Sequence, residues 1–239
     1  MMEPLDISTN GVILKVLTGS RAYGLETPES DYDYHGVYVT PTSELLAIGP
    51  NAPKSRTWNE TPEQDSVMWE VGHFLFEATK CNPTMLETFV APVEYATPAG
   101  YQLRVLLESV ISRRRLHDAF LGYAHNQQKK MFTKPDSPAE AQPSERAWKF
   151  AVQYIRVLLQ GERLLRTGEF VLDMGTYDYD MRDYLMRIKS GKYTMGWIID
   201  SADGLKRKLE LAFTESSVRQ EPNFDAVNMY LLDLRREVW

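Results

Sequence analysis

The stretch from Leu17 to Asp33 (Leu-Thr-Gly-Ser-Arg-Ala-Tyr-Gly-Leu-Glu-Thr-Pro-Glu-Ser-Asp-Tyr-Asp) constrains the fold more than any other part of the chain. Before it, residues 12–18 form a β-branched and apolar run that reads as a buried strand. Gly19 and Ser20 end that strand. Residues 25–31 read as a loop punctuated by Pro28. Residues 32–39, rich in aromatic and β-branched types, read as a second strand that Pro41 stops. The chain must therefore leave one strand, turn sharply and enter another.

Three features of this stretch carry chemistry. Glycine at position 19 lets the backbone turn tightly and approach a phosphate. The Ser20 hydroxyl is a donor beside it, and Arg21 adds charge-assisted donors. Asp31 and Asp33 are separated by one residue, so on a strand the period of two puts both carboxylates on one face. Two like charges so close repel unless a cation lies between them, and paired carboxylates with substrate phosphates are the usual way of holding Mg²⁺. An isolated Gly-Ser pair says almost nothing, and an isolated Asp-x-Asp is usually a solvated pair. Their combination, eleven residues from Ser20 to Asp31, is specific.

Gly19-Ser20 followed by Ser30-Asp31-Tyr32-Asp33 resembles the signature of the DNA polymerase β nucleotidyltransferase superfamily. The fuller run resembles its RlaP branch, a family of nucleotidyltransferases linked to RNA repair. Asp65-Ser66-Val67-Met68-Trp69, then Asn82-Pro83-Thr84 with Glu87, are similar to a later family segment. So are Gly122-Tyr123-Ala124 with Gln127, Lys149 with Arg156, residues 161–168, and residues 188–194, so that the likeness spans roughly 12–214.

The resemblance implies transfer of a nucleoside monophosphate from a triphosphate such as ATP to an acceptor hydroxyl, with an RNA end as the leading acceptor. A protein of toxin–antitoxin type or a small molecule are the alternative acceptors, and a non-catalytic nucleotide-binding module is the remaining alternative. It implies two Mg²⁺ ions (or Mn²⁺) held by Asp31, Asp33 and a third carboxylate. Asp65 is the choice for that carboxylate and Glu70 its rival, while Asp65 as a helix N-cap is the bland reading. Gly19, Ser20 and Arg21 would take the phosphates and Tyr23 would stack on a base, although packing is its default role. Lys149 and Arg156, two helical turns apart, would both contact the triphosphate or the acceptor. Where the family's helical half leads us to expect a histidine, four residues after Lys149, this chain has Gln153. Glutamine can donate a hydrogen bond but cannot titrate near neutral pH. His35, two residues past Asp33, is read as structural, and His73, His117 and His125 have no zinc-type spacing.

Beyond residue 70 the chain reads as helical, over 70–80, 84–90, 98–131, 145–167, 180–190, 195–214 and 224–237. Thr97-Pro98 is a cap followed by proline at the first helical position, Gly191 closes a helix, and Thr194 caps the next. Trp148, Val152, Ile155 and Leu159 form an amphipathic stripe. Residues 49–64 read as a long exposed loop and 133–144 as a linker. The expected class is α/β, or α+β: a small mixed-sheet core over 1–95, followed by a helical part over 96–239 that packs on it and walls the cleft.

At 239 residues, 43% hydrophobic and 25% charged, the chain has an ordinary globular composition. A net charge of −6 argues against a protein that coats nucleic acid, though not against a grip on one end through a local patch. Arg113-Arg114-Arg115, Lys129-Lys130 with Lys134, and Lys206-Arg207-Lys208 are basic runs, most simply solvated helix faces. The single cysteine, Cys81, excludes a cysteine-cluster zinc site and suits a reducing, cytoplasmic setting. No apolar run is long enough for a membrane span and no secretory signal is expected. The nucleotide's base and the oligomeric state stay open.

Overall fold

The computed structural model describes residues 11–46, 56–57, 64–132 and 143–239, with the backbone alone at 56–57 and 64–65. The loop expected over 49–64 and the linker expected over 133–144 lie outside the described residues, apart from 56–57, 64 and 143–144. In chain order the elements are β1 (Val12–Thr18), α1 (Gly19–Ala22), β2 (Tyr32–Tyr38), α2 (Thr42–Leu45), β3 (Arg56–Thr57), β4 (Gln64–Glu70), α3 (Val71–Thr79), α4 (Pro83–Val90) and β5 (Val93–Ala96). They continue with α5 (Pro98–Val105), α6 (Leu107–Val110), α7 (Arg113–Met131), α8 (Glu145–Thr167), α9 (Met174–Tyr177), α10 (Met181–Lys189), α11 (Met195–Glu215) and α12 (Phe224–Glu237). The fold is α+β, with two compact units. Met1–Lys80, Thr84–Ile111 and Pro222–Trp239 form one, and Cys81–Pro83 with Ser112–Glu221 form the other.

The first unit holds a five-stranded mixed sheet in the order β3-β4-β2-β1-β5. β2 and β4 run parallel, and the other neighbours are antiparallel. β1 buries Ile13, Leu14 and Val16, and β2 adds Val37, so the two strands expected from the sequence form the centre of the sheet. β4 places Met68 in the core, and α3 and α4 bring Phe74, Leu75, Leu86 and Phe89. Thr97 caps α5 as its sequence foretells, its Oγ1 accepting from Gly100 N at 3.2 Å.

The last helix belongs to this unit. Asn223 N donates to Ser109 O at 2.7 Å, Tyr230 donates to Ala99 O at 2.9 Å, and Thr42 Oγ1 donates to Arg235 O at 2.7 Å. The compact unit that carries the sheet thus extends past residue 95 to Ile111 and takes in α12. The helix expected across 98–131 is three helices: Leu106 separates α5 from α6, and the extended, buried Ile111 and Ser112 separate α6 from α7 where the chain passes from one unit to the other.

In the second unit α8 is packed by α7, α10 and α11. Ser144 caps α8, its Oγ accepting from Ala147 N at 3.2 Å, and Gly168 ends it in the left-handed region at φ +75°. Every residue of α8 from Tyr154 to Gly161 is buried, so this central helix has no solvent face there. Thr194 caps α11 by accepting from Trp197 N, and Gly191 follows α10 at φ +68°. No helix among the described residues is long and apolar enough to cross a membrane.

Candidate functional site

The turn after β1 and the start of β2 meet side by side. The antiparallel register pairs Thr18 with Asp33, so Gly19 leaves the sheet next to the aspartate. Gly19 has φ +68°, and a β-carbon built on it would collide with Asp33 Oδ2. Only a glycine lets the backbone take that turn and leave the carboxylate its place. Ser20 is half-buried, and its hydroxyl has no hydrogen bond among the described residues.

Arg21 reaches across the loop. Its Nη2 and Nε donate to Ser30 O at 2.8 and 3.2 Å, and its guanidinium lies over the Tyr32 ring at 3.9 Å. Thr27 N donates to Ser30 Oγ at 2.9 Å, and Ser30 N donates back to Thr27 O at 3.0 Å. The residue before Asp31 is therefore held by a turn and by an arginine fork. Asp31 itself stands exposed just before β2, and Asp33 is half-buried within it. Glu26, in the same loop, buries its Oε2 without a hydrogen-bond partner among the described residues.

Asp65 occupies the position on β4 that pairs with Asp33 on β2. Glu70, the rival, lies five residues along β4 and pairs with Tyr38. Its carboxylate is already committed. Oε2 caps α3 by accepting from Gly72 N at 2.7 Å, and Oε1 is ion-paired with Arg235 at 2.5 Å. The N-cap role considered for Asp65 is thus filled by Glu70.

Behind Asp33 the site is polar and closed. His35 packs edge-on against Trp69 at 4.9 Å, and its Nδ1 is 3.4 Å from Thr88 Oγ1. Burial lowers the imidazole pKa, opposed by the charge of Glu87. Tyr23 is buried, and its hydroxyl donates to Glu87 Oε2 at 2.8 Å. This corrects the base-stacking role for Tyr23, since the core covers its ring. Glu87 falls in a family-like segment of the sequence, whereas no motif marks Thr88. The signal was present: two polar residues interrupt the apolar run Met85-Leu86-Glu87-Thr88-Phe89-Val90, so a short helix with one apolar stripe must bury at least one of them.

Lys149 and Arg156 do not share a surface. Lys149 is exposed and ion-paired with Glu145 at 2.9 Å. Arg156 is 1% exposed, with Nε donating to Gln153 Oε1 at 3.0 Å and Nη1 to Gln160 Oε1 at 2.8 Å. Two helical turns would place both on one solvent face only if α8 had such a face at that level, and it has none. Arg156 is a core residue of the second unit, and Gln153 is its hydrogen-bond acceptor.

The donor set at Asp31 and Asp33 is oxygen alone, which suits a hard cation such as Mg²⁺ and not zinc. Among the described residues no three His, Cys, Asp or Glu side chains form a group able to hold a metal ion, and the Asp65 side chain is outside those residues. The bare Cα of Gly19 lets the Asp33 carboxylate lie directly against the turn, where a side chain would displace it.

The family model of the RNA repair pathway DNA polymerase β family (RlaP) matches residues 4–233. The chain belongs to that family. It is thereby a nucleotidyltransferase, and the match covers both compact units. No curated protein matches the chain. Among solved structures it is similar to a spectinomycin adenyltransferase from Enterococcus faecialis, described with ATP and spectinomycin. That likeness has 13% identity and a TM-score of 0.40 over 84% of this chain and 93% of that one. It is also similar to a nucleotidyltransferase-like protein from Exiguobacterium sibiricum 255-15, with 11% identity and a TM-score of 0.28 over 96% of this chain and 76% of that one. At these values neither likeness bears on what this RlaP chain binds.

Proposed function

We propose that this RlaP protein transfers a nucleoside monophosphate from a nucleoside triphosphate to the hydroxyl of an RNA end, with Mg²⁺ as cofactor. The observation that carries this reading is the approach of the Gly19 turn to Asp33, at the register position shared with Asp65. The acceptor is drawn from the family's place in RNA repair.

Asp31, Asp33 and Asp65 would hold the metal, which when bound neutralises triphosphate charge and polarises the reacting oxygens. Gly19 lets the turn that would take the phosphates lie directly against the Asp33 carboxylate. The Ser20 hydroxyl donates to a phosphate oxygen, and Arg21 places positive charge beside it while fixing the Ser30–Asp31 backbone. The acceptor oxygen attacks the α-phosphorus, forming the new phosphoester as the α–β anhydride bond breaks. Pyrophosphate leaves, and the acceptor's proton passes to solvent. The residues act by positioning and charge neutralisation. Lys149 is the remaining exposed cation of the pair first considered for the triphosphate or acceptor. A reducing compartment, the cytoplasm, suits a chain whose one thiol is buried.

Incubating the protein with each α-³²P-labelled nucleoside triphosphate, Mg²⁺ and total RNA tests this. Label on RNA, for one or more of the four nucleotides, is expected. Label on protein instead, or on no macromolecule, would overturn the RNA acceptor.

A further inference from the structure

We propose that α4 is the positioning element of the site, with Glu87 fixing the Gly19 turn through Tyr23 and Thr88 fixing the Asp33 strand through His35. The proposal rests on the nucleotidyl-transfer reading. Glu87 and Thr88 are neighbours on one helix, so their side chains leave it about 100° apart and reach two different elements. Glu87 meets Tyr23, the residue that ends α1, and α1 begins with Gly19 and Ser20. Thr88 meets His35, two residues beyond Asp33 on β2. One rigid helix therefore touches both the phosphate side and the carboxylate side of the site.

The chemistry of the two contacts favours this role over ordinary packing. A glutamine would hold a tyrosine hydroxyl without the cost of burying a charge. The chain instead buries the Glu87 carboxylate at 5% exposure, where its hydrogen bond to Tyr23 is charge-assisted. Thr88 Oγ1 donates its own proton to Thr84 O at 3.2 Å. Its oxygen is thus left to accept from His35 Nδ1–H, which fixes the ring's orientation on β2.

The two contacts should separate in steady-state kinetics of labelled transfer. Tyr23→Phe and Glu87→Ala loosen the turn, and each should raise the nucleotide KM about tenfold with kcat little changed. Glu87→Gln keeps an acceptor for Tyr23 but loses the charge assistance, and its KM should fall between those of wild type and Glu87→Ala. Thr88→Val loosens β2 and should lower kcat about tenfold at unchanged KM. Combining Tyr23→Phe with Glu87→Ala should cost less than the sum of the two single changes, because they share the Tyr23–Glu87 hydrogen bond. If a transferring wild type is matched by all variants, or if kcat and KM losses in every variant merely follow the fall in Tm, the positioning role is overturned alone. A wild type that transfers no label to any acceptor overturns the functional reading and this inference together.

Discussion

Gly19 lies so close to Asp33 that a single added β-carbon on the glycine would overlap the carboxylate oxygen Oδ2. Gly19→Ala therefore does two things. It forces a non-glycine residue to φ +68°, at a cost of about 1–2 kcal/mol, and it pushes Asp33 aside. Transfer should fall on the order of a hundredfold, as expected for a misplaced reacting group, while Tm falls by a few degrees. Kinetics beside a thermal melt would separate the two effects. Full activity with a lowered Tm would mean that the close approach serves the fold alone.

Arg21 holds the carbonyl of Ser30 and lies over Tyr32, two contacts that need a flat guanidinium. Arg21→Lys keeps the charge and loses the fork. Hydrogen exchange over 27–31 should quicken, and transfer should drop about tenfold. Unchanged exchange in that loop would show that Arg21 does not fix Asp31.

Glu70 and Asp65 should part company on mutation. Glu70→Gln weakens a helix cap and an ion pair that is mostly buried, and should cost about 1–3 kcal/mol of stability with transfer retained. Asp65→Asn should abolish transfer at little cost in stability. Urea unfolding together with the labelling assay reads both. The opposite pattern would make Glu70 the third carboxylate.

Cys81 gives a pH signature. Burial pushes its thiol up to about 11 from 9.0, opposed by the Ser112 backbone and by the charge of Arg115. The folded thiol thus keeps its proton where the unfolded one loses it. Its contribution is constant below pH 9 and is lost as pH rises through 11. Unfolding free energies of wild type and Cys81→Ala, measured from pH 7 to pH 11, should converge toward the alkaline end. A constant difference across that range would contradict the burial argument.

The centre of the fold was legible because its signals are local. The apolar run before Gly19 and the β-branched run after Asp31 name their own strands, and Thr97, Gly191 and Thr194 mark helix ends by cap chemistry. β5 was not legible, since Val93-Glu94-Tyr95-Ala96 is an exposed edge strand whose identity comes from pairing with β1. The return of α12 to the sheet-bearing unit depends on Arg235, Tyr230 and Asn223, whose partners lie more than a hundred residues away. The same limit explains Arg156: helical spacing gives the angle of a side chain about its own helix, not what surrounds it. That Asp65 and not Glu70 pairs with Asp33 could not be read from spacing, because register is a property of two strands.

The most direct test of the account replaces the carboxylates themselves. Asp31→Asn and Asp33→Asn, each assayed for label transfer and checked by circular dichroism and thermal melting, should lose on the order of a thousandfold in rate. The fold should stay intact, since Asp31 is exposed and Asp33 half-buried. A folded variant of either residue that transfers nucleotide at the wild-type rate would contradict the assignment of this site.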